Sequence, residues 1–259
     1  MTDTIRFKDI DIHYSISGDG PTLLLLHGFL ENKEMWQFAH DEFSNTHQVV
    51  SVDLLGHGKT SYLKSNHSML EMANAVKAVC DHLSIYQVKV IGHSMGGYVA
   101  LELTQNYPDL VNGICLMNSN YYADDSEKKA LRKRANEMAR TQFESLVRMS
   151  FVNLFAPSSK KDFEHMIDYV LKQALQTPVE GYIKGQEGMI NRKDMGSFFA
   201  ETTTNKMVIL GLKDPVMPAE PIINFCESYK IPIRTLLKGH MSHIEDKKEL
   251  VEAFKEFLQ

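Results

Sequence analysis

Gly92-His93-Ser94-Met95-Gly96 joins a nucleophilic hydroxyl to two flanking glycines. The apolar run Val88-Lys89-Val90-Ile91 precedes it, and the helix-like Gly97-Tyr98-Val99-Ala100-Leu101-Glu102-Leu103 follows. A serine between strand and helix sits on a sharp turn, its hydroxyl lifted from the sheet edge. Glycines Gly92 and Gly96 lack a Cβ, so strand and helix can approach closely there. A serine hydroxyl is a weak nucleophile at neutral pH, so it needs a base, and the base needs an orienting acid. Asp214 follows the apolar run 206–210 in Gly211-Leu212-Lys213-Asp214-Pro215. His240 follows the run 233–237 in Lys238-Gly239-His240. His243 is the rival base, and Asp124 and Asp125 are the rival acids. Such a set attacks a carbonyl, forms an acyl-enzyme and releases it to water. Two backbone donors could receive the tetrahedral oxyanion: the Phe29 N–H, after His27-Gly28, and the Met95 N–H at the start of the helix.

These residues need a frame that brings them together. Residues 22–26 end in four consecutive leucines, the mark of a strand buried on both faces. Segments 5–7 and 10–14 alternate and predict a hairpin, and Gly18-Asp19-Gly20-Pro21 predicts a turn. Segments 48–52, 88–91, 113–117, 206–210 and 233–237 predict further strands. Helical spacing appears over 69–83, 95–106 and 247–258. Strands and helices alternate from 22 to 117 and from 206 onward. That predicts an α/β fold: a mostly parallel sheet of about eight strands with helices on both faces. Open parallel sheets bind ligands at the carboxyl ends of their strands. Phe29, Ser94, Asp214 and His240 all fall just beyond strands.

From 121 to 201 the alternation stops. The segment predicts a helical lid inserted after the sixth strand, leaving 1–120 and 202–259 as the core domain. Its large apolar residues, among them Phe151, Phe155, Tyr182, Met189 and Phe199, are expected mainly to form the lid's own core. A minority should face Ser94 and shape an apolar pocket. Trp36, the only tryptophan, is expected in the core.

Composition narrows the function classes. A chain of 259 residues with 43% hydrophobic and 24% charged residues suits one large domain. A net charge of -5 argues against nucleic acid as the main partner. The basic run from 128 to 134 follows Asp124, Asp125 and Glu127 and reads as a solvated helix face. Between 121 and 200, 13 Lys plus Arg stand against 11 Asp plus Glu, too even to assign a substrate charge. Cys80, Cys115 and Cys226 are widely spaced and read as buried thiols in a reducing compartment. Thr2-Asp3-Thr4-Ile5-Arg6 shows no basic start before an apolar run, and no stretch is apolar enough to cross a membrane. A cytoplasmic protein, monomeric or homodimeric, is expected. His240 and His243 lie three apart, but no third ligand has suitable spacing, so neither metal nor cofactor is expected.

The chain resembles the α/β-hydrolase family, and more narrowly its small bacterial members with a helical lid. The motifs that carry the resemblance come in order: His27-Gly28, Asp53-Leu54-Leu55-Gly56-His57-Gly58, Gly92-His93-Ser94-Met95-Gly96-Gly97, Gly211 with Asp214, and Gly239-His240 with Glu245. The resemblance implies a triad of Ser94, Asp214 and His240, with Phe29 and Met95 as the oxyanion hole and His27, Gly28, Gly92 and Gly96 as motif support. His27 and His57 are expected to brace their loops, and Asp53 to hold the 56–58 turn by an Asx-type bond. Serine at the elbow departs from haloalkane dehalogenases and epoxide hydrolases, which need an aspartate there. It implies a carboxylic ester or thioester substrate. Carbon–carbon bond hydrolases share the triad, but usually show asparagine where this chain has His93 and a tryptophan in the lid. A small-molecule receptor on the hydrolase scaffold is the alternative from another class.

Overall fold

Leu23, Leu24, Leu25 and Leu26 are all fully buried, because β3 (Thr22–Leu26) runs inside a sheet covered on both faces. The computed structural model describes residues 2–65 and 67–259. The other strands are β1 (Thr2–Phe7), β2 (Ile10–Ser17), β4 (Gln48–Val52), β5 (Val88–His93), β6 (Val111–Met117), β7 (Asn205–Gly211) and β8 (Ile233–Leu236). They form one eight-stranded sheet in the order β1-β2-β4-β3-β5-β6-β7-β8. β1 pairs antiparallel with β2 and β2 with β4, and every pairing from β4 across to β8 is parallel. This is the expected α/β architecture.

Alternate residues of each central strand enter opposite cores, as a period of two requires. Leu24, Leu26, Val90, Ile114, Leu116 and Val208 join one cluster. It is covered by α2 (Met69–His82), α3 (Met95–Asn106) and α8 (Ala219–Ser228). Leu23, Leu25, Ile91, Cys115, Met117 and Ile209 join the other. It is covered by α1 (Gln37–Phe43) and α10 (Lys247–Leu258), the last with Phe254 and Phe257. Trp36 is fully buried there, its ring 6.2 Å from Phe254. β6 begins two residues before the expected start, since Val111 already pairs with Val88. β8 stops at Leu236, and Leu237 turns outward at 69% exposure. The short α9 (Ser242–Glu245) follows it.

Between β6 and β7 come four helices, α4 (Ser126–Val152), α5 (Glu164–Ala174), α6 (Val179–Ile190) and α7 (Gly196–Glu201), and no strand among the described residues. Asp125 caps α4 by accepting from the Lys128 N–H at 2.7 Å, and the helix kinks at Gln142. Leu146, Val147, Phe151, Phe155, Leu171 and Tyr182 give this insertion a core of its own. Leu30 and Met241 complete that core. They are neighbours of Phe29 and His240, so the insertion packs directly on two loops at the sheet's carboxyl edge. Gly56 (φ 77°) lets α6 approach the core: a Cβ on it would overlap the Gly181 backbone.

Candidate active site

Ser94 ends the β5 turn with φ 50° and ψ -115°, a conformation that costs a non-glycine residue about 1–3 kcal/mol. Surrounding contacts impose it. The Ser94 N–H donates to the Met117 carbonyl at 3.0 Å, and the Ser119 hydroxyl donates to the Ser94 carbonyl at 2.7 Å. Both motif glycines are dictated by close approach: a Cβ on Gly92 would strike the Gly96 carbonyl, and one on Gly96 the Leu26 carbonyl. The strand–turn–helix expected around Gly92-His93-Ser94-Met95-Gly96 is present.

Strand register brings the distant candidates to one edge. Gly92 pairs with Leu26, His93 with Met117, Met117 with Ile209, and Gly211 with Leu236. His240, 2% exposed, directs Nδ1 to Asp214 Oδ2 at 2.7 Å. With that nitrogen donating, the imidazole keeps Nε2 free to take a proton. Asp214 is held from all sides. Its Oδ1 accepts from the Val216 and Met217 N–H groups at 2.8 and 2.9 Å, and its Oδ2 also accepts from Asn118 Nδ2 at 3.0 Å. Burial opposes its charge, but the His240 imidazole and these donors hold its carboxyl below the ordinary carboxylate range. Asn118 sits at φ 43° just after β6 and also accepts from the Ser242 hydroxyl at 2.7 Å. The position after β6 thus holds no acid of its own and supports the acid after β7.

The rivals lie apart. Asp124 takes two guanidinium groups, Arg132 at 2.6 Å and Arg192 at 2.9 Å, and Asp125 is the α4 cap. His243 is buried, and burial pushes its imidazole down to about 4. It lines an adjoining cavity of about 420 Å³, which shares Leu30, Glu31 and Phe151 with the one of about 150 Å³ lined by Ser94 and His240. The smaller cavity is walled by Phe29, Phe151, Leu154, Tyr182, Met189 and Met217. Of the apolar residues of the insertion, Phe151, Tyr182 and Met189 therefore face Ser94, while Met138, Met149, Met166 and Tyr169 are exposed. Among the described residues, neither the Phe29 nor the Met95 N–H donates to a protein acceptor.

His27 and His57 brace the loops. His27 Nδ1 meets the Gly28 carbonyl at 2.7 Å, and its Nε2 accepts the Leu54 N–H at 2.9 Å. His57 Nδ1 meets the Leu55 carbonyl at 3.1 Å. Asp53 makes no Asx-type turn. Its carboxylate accepts from Lys33 N at 2.7 Å and Lys59 N at 3.0 Å, tying two loops together. The longer reach is possible because Gly58 (φ 57°) presents no side chain where the carboxylate passes.

Sequence reasoning missed a buried ion pair. Glu31 Oε2 accepts from the Gly28 N–H at 2.6 Å and from His93 Nδ1 at 2.7 Å. His93 Nε2 donates to the His240 carbonyl at 3.0 Å. Both partners of this ring are acceptors, so both nitrogens carry protons and His93 is an imidazolium. Burial disfavours that charge, but the Glu31 carboxylate raises His93 above the ordinary histidine value. Glu31 is likewise held to about 2, the His93 charge overcoming burial. One pair thus joins the loop of Phe29, the turn of Ser94 and the loop of His240. Glu245 adds a second clamp, accepting from Met241 N at 3.2 Å and from Ala156 N of the insertion at 3.0 Å. The His240 N–H itself donates to the Leu154 carbonyl at 3.0 Å. No signal local to Glu31 announces its role, since its partner lies 62 residues away.

Among the described residues no three His, Cys, Asp or Glu side chains converge as metal ligands, and no helix is long and apolar enough to cross a membrane. Cys80, Cys115 and Cys226 are all buried and unpaired.

A family model described as the alpha/beta hydrolase fold matches residues 21–247. An uncharacterized protein of Mycobacterium tuberculosis is 30% identical over 125 residues, covering 47% of this chain and 37% of that protein, so this chain spans well under half of that relative. The 3-oxoadipate enol-lactonase 2 of Acinetobacter baylyi is 25% identical over 246 residues, covering 94% of this chain and 91% of the enzyme. A malate-bound thermophilic esterase from Thermogutta terrifontis superposes with a TM-score of 0.92 at 25% identity, covering 100% of this chain and 98% of the esterase. The chain belongs to the α/β-hydrolase family.

Proposed function

We propose that the chain is a serine hydrolase that cleaves a carboxylic ester or thioester of a small substrate through an acyl-enzyme. One observation carries the reading: the Asp214-oriented imidazole of His240 lines the same cavity as a serine held at positive φ. His240 Nε2 takes the Ser94 proton as Oγ bonds to the carbonyl carbon. The developing oxyanion receives the Phe29 and Met95 N–H groups, which have no protein acceptor among the described residues. Collapse expels the leaving group with the proton from His240, and water releases the acyl group by the same steps. A lactone is a cyclic ester and would open in the same way, which accords with the similarity to an enol-lactonase. A cavity of about 150 Å³ favours a short acyl chain. The insertion over 121–201 serves as the lid, because it supplies Phe151, Leu154, Tyr182 and Met189 to that cavity. Three buried thiols accord with a cytoplasmic setting, and a monomer or homodimer suffices for the site.

The test is hydrolysis of 4-nitrophenyl esters from acetate to octanoate by wild type and Ser94→Ala. Turnover that falls off beyond short chains and vanishes in Ser94→Ala is expected. Turnover that survives in Ser94→Ala refutes the nucleophile, and none with any ester removes the ester reading.

A further inference from the structure

The cavity of Ser94 has a guanidinium in its wall. Its ionic lining residues are Glu31, His93 and Arg132. Glu31 and His93 cancel at 2.7 Å. Arg132 remains. It enters from α4, within the run whose Lys133 and Arg134 are exposed as a solvated face requires. Arg132 itself departs from that expectation, with 15% of its side chain exposed.

Its donors are only partly used. Nε donates to Asp124 Oδ2 at 2.6 Å and Nη1 to Gln186 Oε1 at 2.6 Å. Among the described residues Nη2 meets no protein acceptor. Asp124 cannot neutralise it alone, because its Oδ1 accepts from Arg192 Nη2 at 2.9 Å. Two guanidinium groups therefore share one fully buried carboxylate. Arg192 lies over the Tyr98 ring, 4.0 Å from its centroid, and donates Nη1 to the Met189 carbonyl. The field shows nearby, where burial and then Arg132 hold Lys128 below the ordinary lysine value. A guanidinium with a spare planar donor, on an apolar wall, matches a carboxylate.

We propose that Arg132 binds a free carboxylate on the substrate, so that the preferred ester, thioester or lactone is an anion. The proposal rests on the reading of Ser94 as nucleophile. An anionic group held by α4 and a reacting carbonyl held at β5 would fix the substrate across the cavity by its two ends.

The test compares monoethyl succinate with its neutral isostere, ethyl succinamate, for wild type, Arg132→Gln and Arg132→Lys. Wild type should favour the acid in kcat/KM by about 10- to 100-fold, the range of a hydrogen bond to a charged group. The ratio should collapse toward one in Arg132→Gln, chiefly through KM, and be intermediate in Arg132→Lys. Equal rates in wild type, or a preference that survives Arg132→Gln, overturn the proposal. Calorimetric binding of succinate to the same proteins reads the anion site without turnover. Binding that weakens in Arg132→Gln supports it even if Ser94 is not the nucleophile, and binding indifferent to Arg132 refutes it even if Ser94 is.

Discussion

Removing the charge of Glu31 should loosen three loops at once. Its pair with His93 is buried, with side chains 5% and 1% exposed. Opposite charges about 4 Å apart in a medium of effective dielectric about 20 attract by about 4 kcal/mol. Desolvation opposes part of that, and truncating one partner of a buried pair costs about 3–5 kcal/mol. Glu31→Gln keeps an acceptor for the Gly28 N–H, so a loss of about 2–3 kcal/mol is expected. With the carboxylate gone, His93 gives up its second proton. A neutral ring has one N–H, which can serve the amide oxygen at position 31 or the His240 carbonyl but not both. The assay is a double-mutant cycle with His93→Asn, read by urea unfolding and by kcat/KM on a neutral ester. Coupling of about 2 kcal/mol is expected near pH 5.5. The window follows from the shifts. Glu31 is lowered to about 2, so its contribution is present above the unfolded value of about 4.5 and is lost as pH falls toward 2. His93 is raised, so its contribution is complete below about 6.5 and is lost as pH rises through its folded value. Coupling under about 0.5 kcal/mol at pH 5.5 would refute the charged pair, as would a His93 resonance that titrates at or below 6.5.

Other outcomes follow from the same geometry. Ser94→Gly should end turnover yet raise stability by about 1 kcal/mol, because glycine relieves the positive φ; a thermal melt that moves down contradicts the strain. Asp214→Asn should lower kcat by about 10⁴-fold, since Nδ2 cannot accept from His240 Nδ1; a loss under about tenfold would remove the acid assignment. Gly181→Ala should disturb the seating of α6, because its Cβ would strike the Gly56 carbonyl, and faster proteolysis within 121–201 is the readout. Acid should unfold the protein between about pH 6.5 and 4. Burial lowers His27 and His243 to about 4 and His57 to about 3, so the unfolded chain takes up protons first and stability present above 6.5 is lost as pH falls. At about 1.4 kcal/mol per unit, His27 and His243 are each worth up to about 3.5 kcal/mol and His57 up to about 5 kcal/mol, and a circular dichroism signal unchanged down to about pH 4 would count against it.

The sheet was legible because its signals are local. Four leucines in a row demand a strand with two covered faces, and β3 is that strand. Gly92 and Gly96 announce a turn that only glycine can close, and the strand before Ser94 and the helix after it follow from the neighbouring residues. Asp214 and His240 were legible for a related reason: each stands just past an apolar strand, and parallel strands share one carboxyl edge. Asp53 was legible only in part: it does bond within its own loop and across the 56–58 turn, but at the Lys59 N–H, a longer reach than an Asx-type bond. Its other partner, Lys33, lies 20 residues away, and nothing near either residue encodes that contact.

Other polar pairs that meet across the fold escape local reading. Glu31 and His93 are 62 residues apart, Arg132 and Gln186 54, and Asp124 and Arg192 68. A residue count of the insertion averages its charges to near neutrality, 13 basic against 11 acidic between 121 and 200. The average hides what matters, since a solvated lysine contributes little to a cavity and a half-enclosed arginine contributes much. Lys133 and Arg132 are adjacent in sequence, yet one faces solvent and the other the cavity of Ser94. Helical spacing alone allows either orientation for the run. The neighbours decide it: Asp124 and Gln186 hold Arg132 inward, and both belong to the packing of α4 against its surroundings. The charge in the wall of the Ser94 cavity is therefore a property of tertiary placement, set by one side chain rather than by the composition of the segment that carries it.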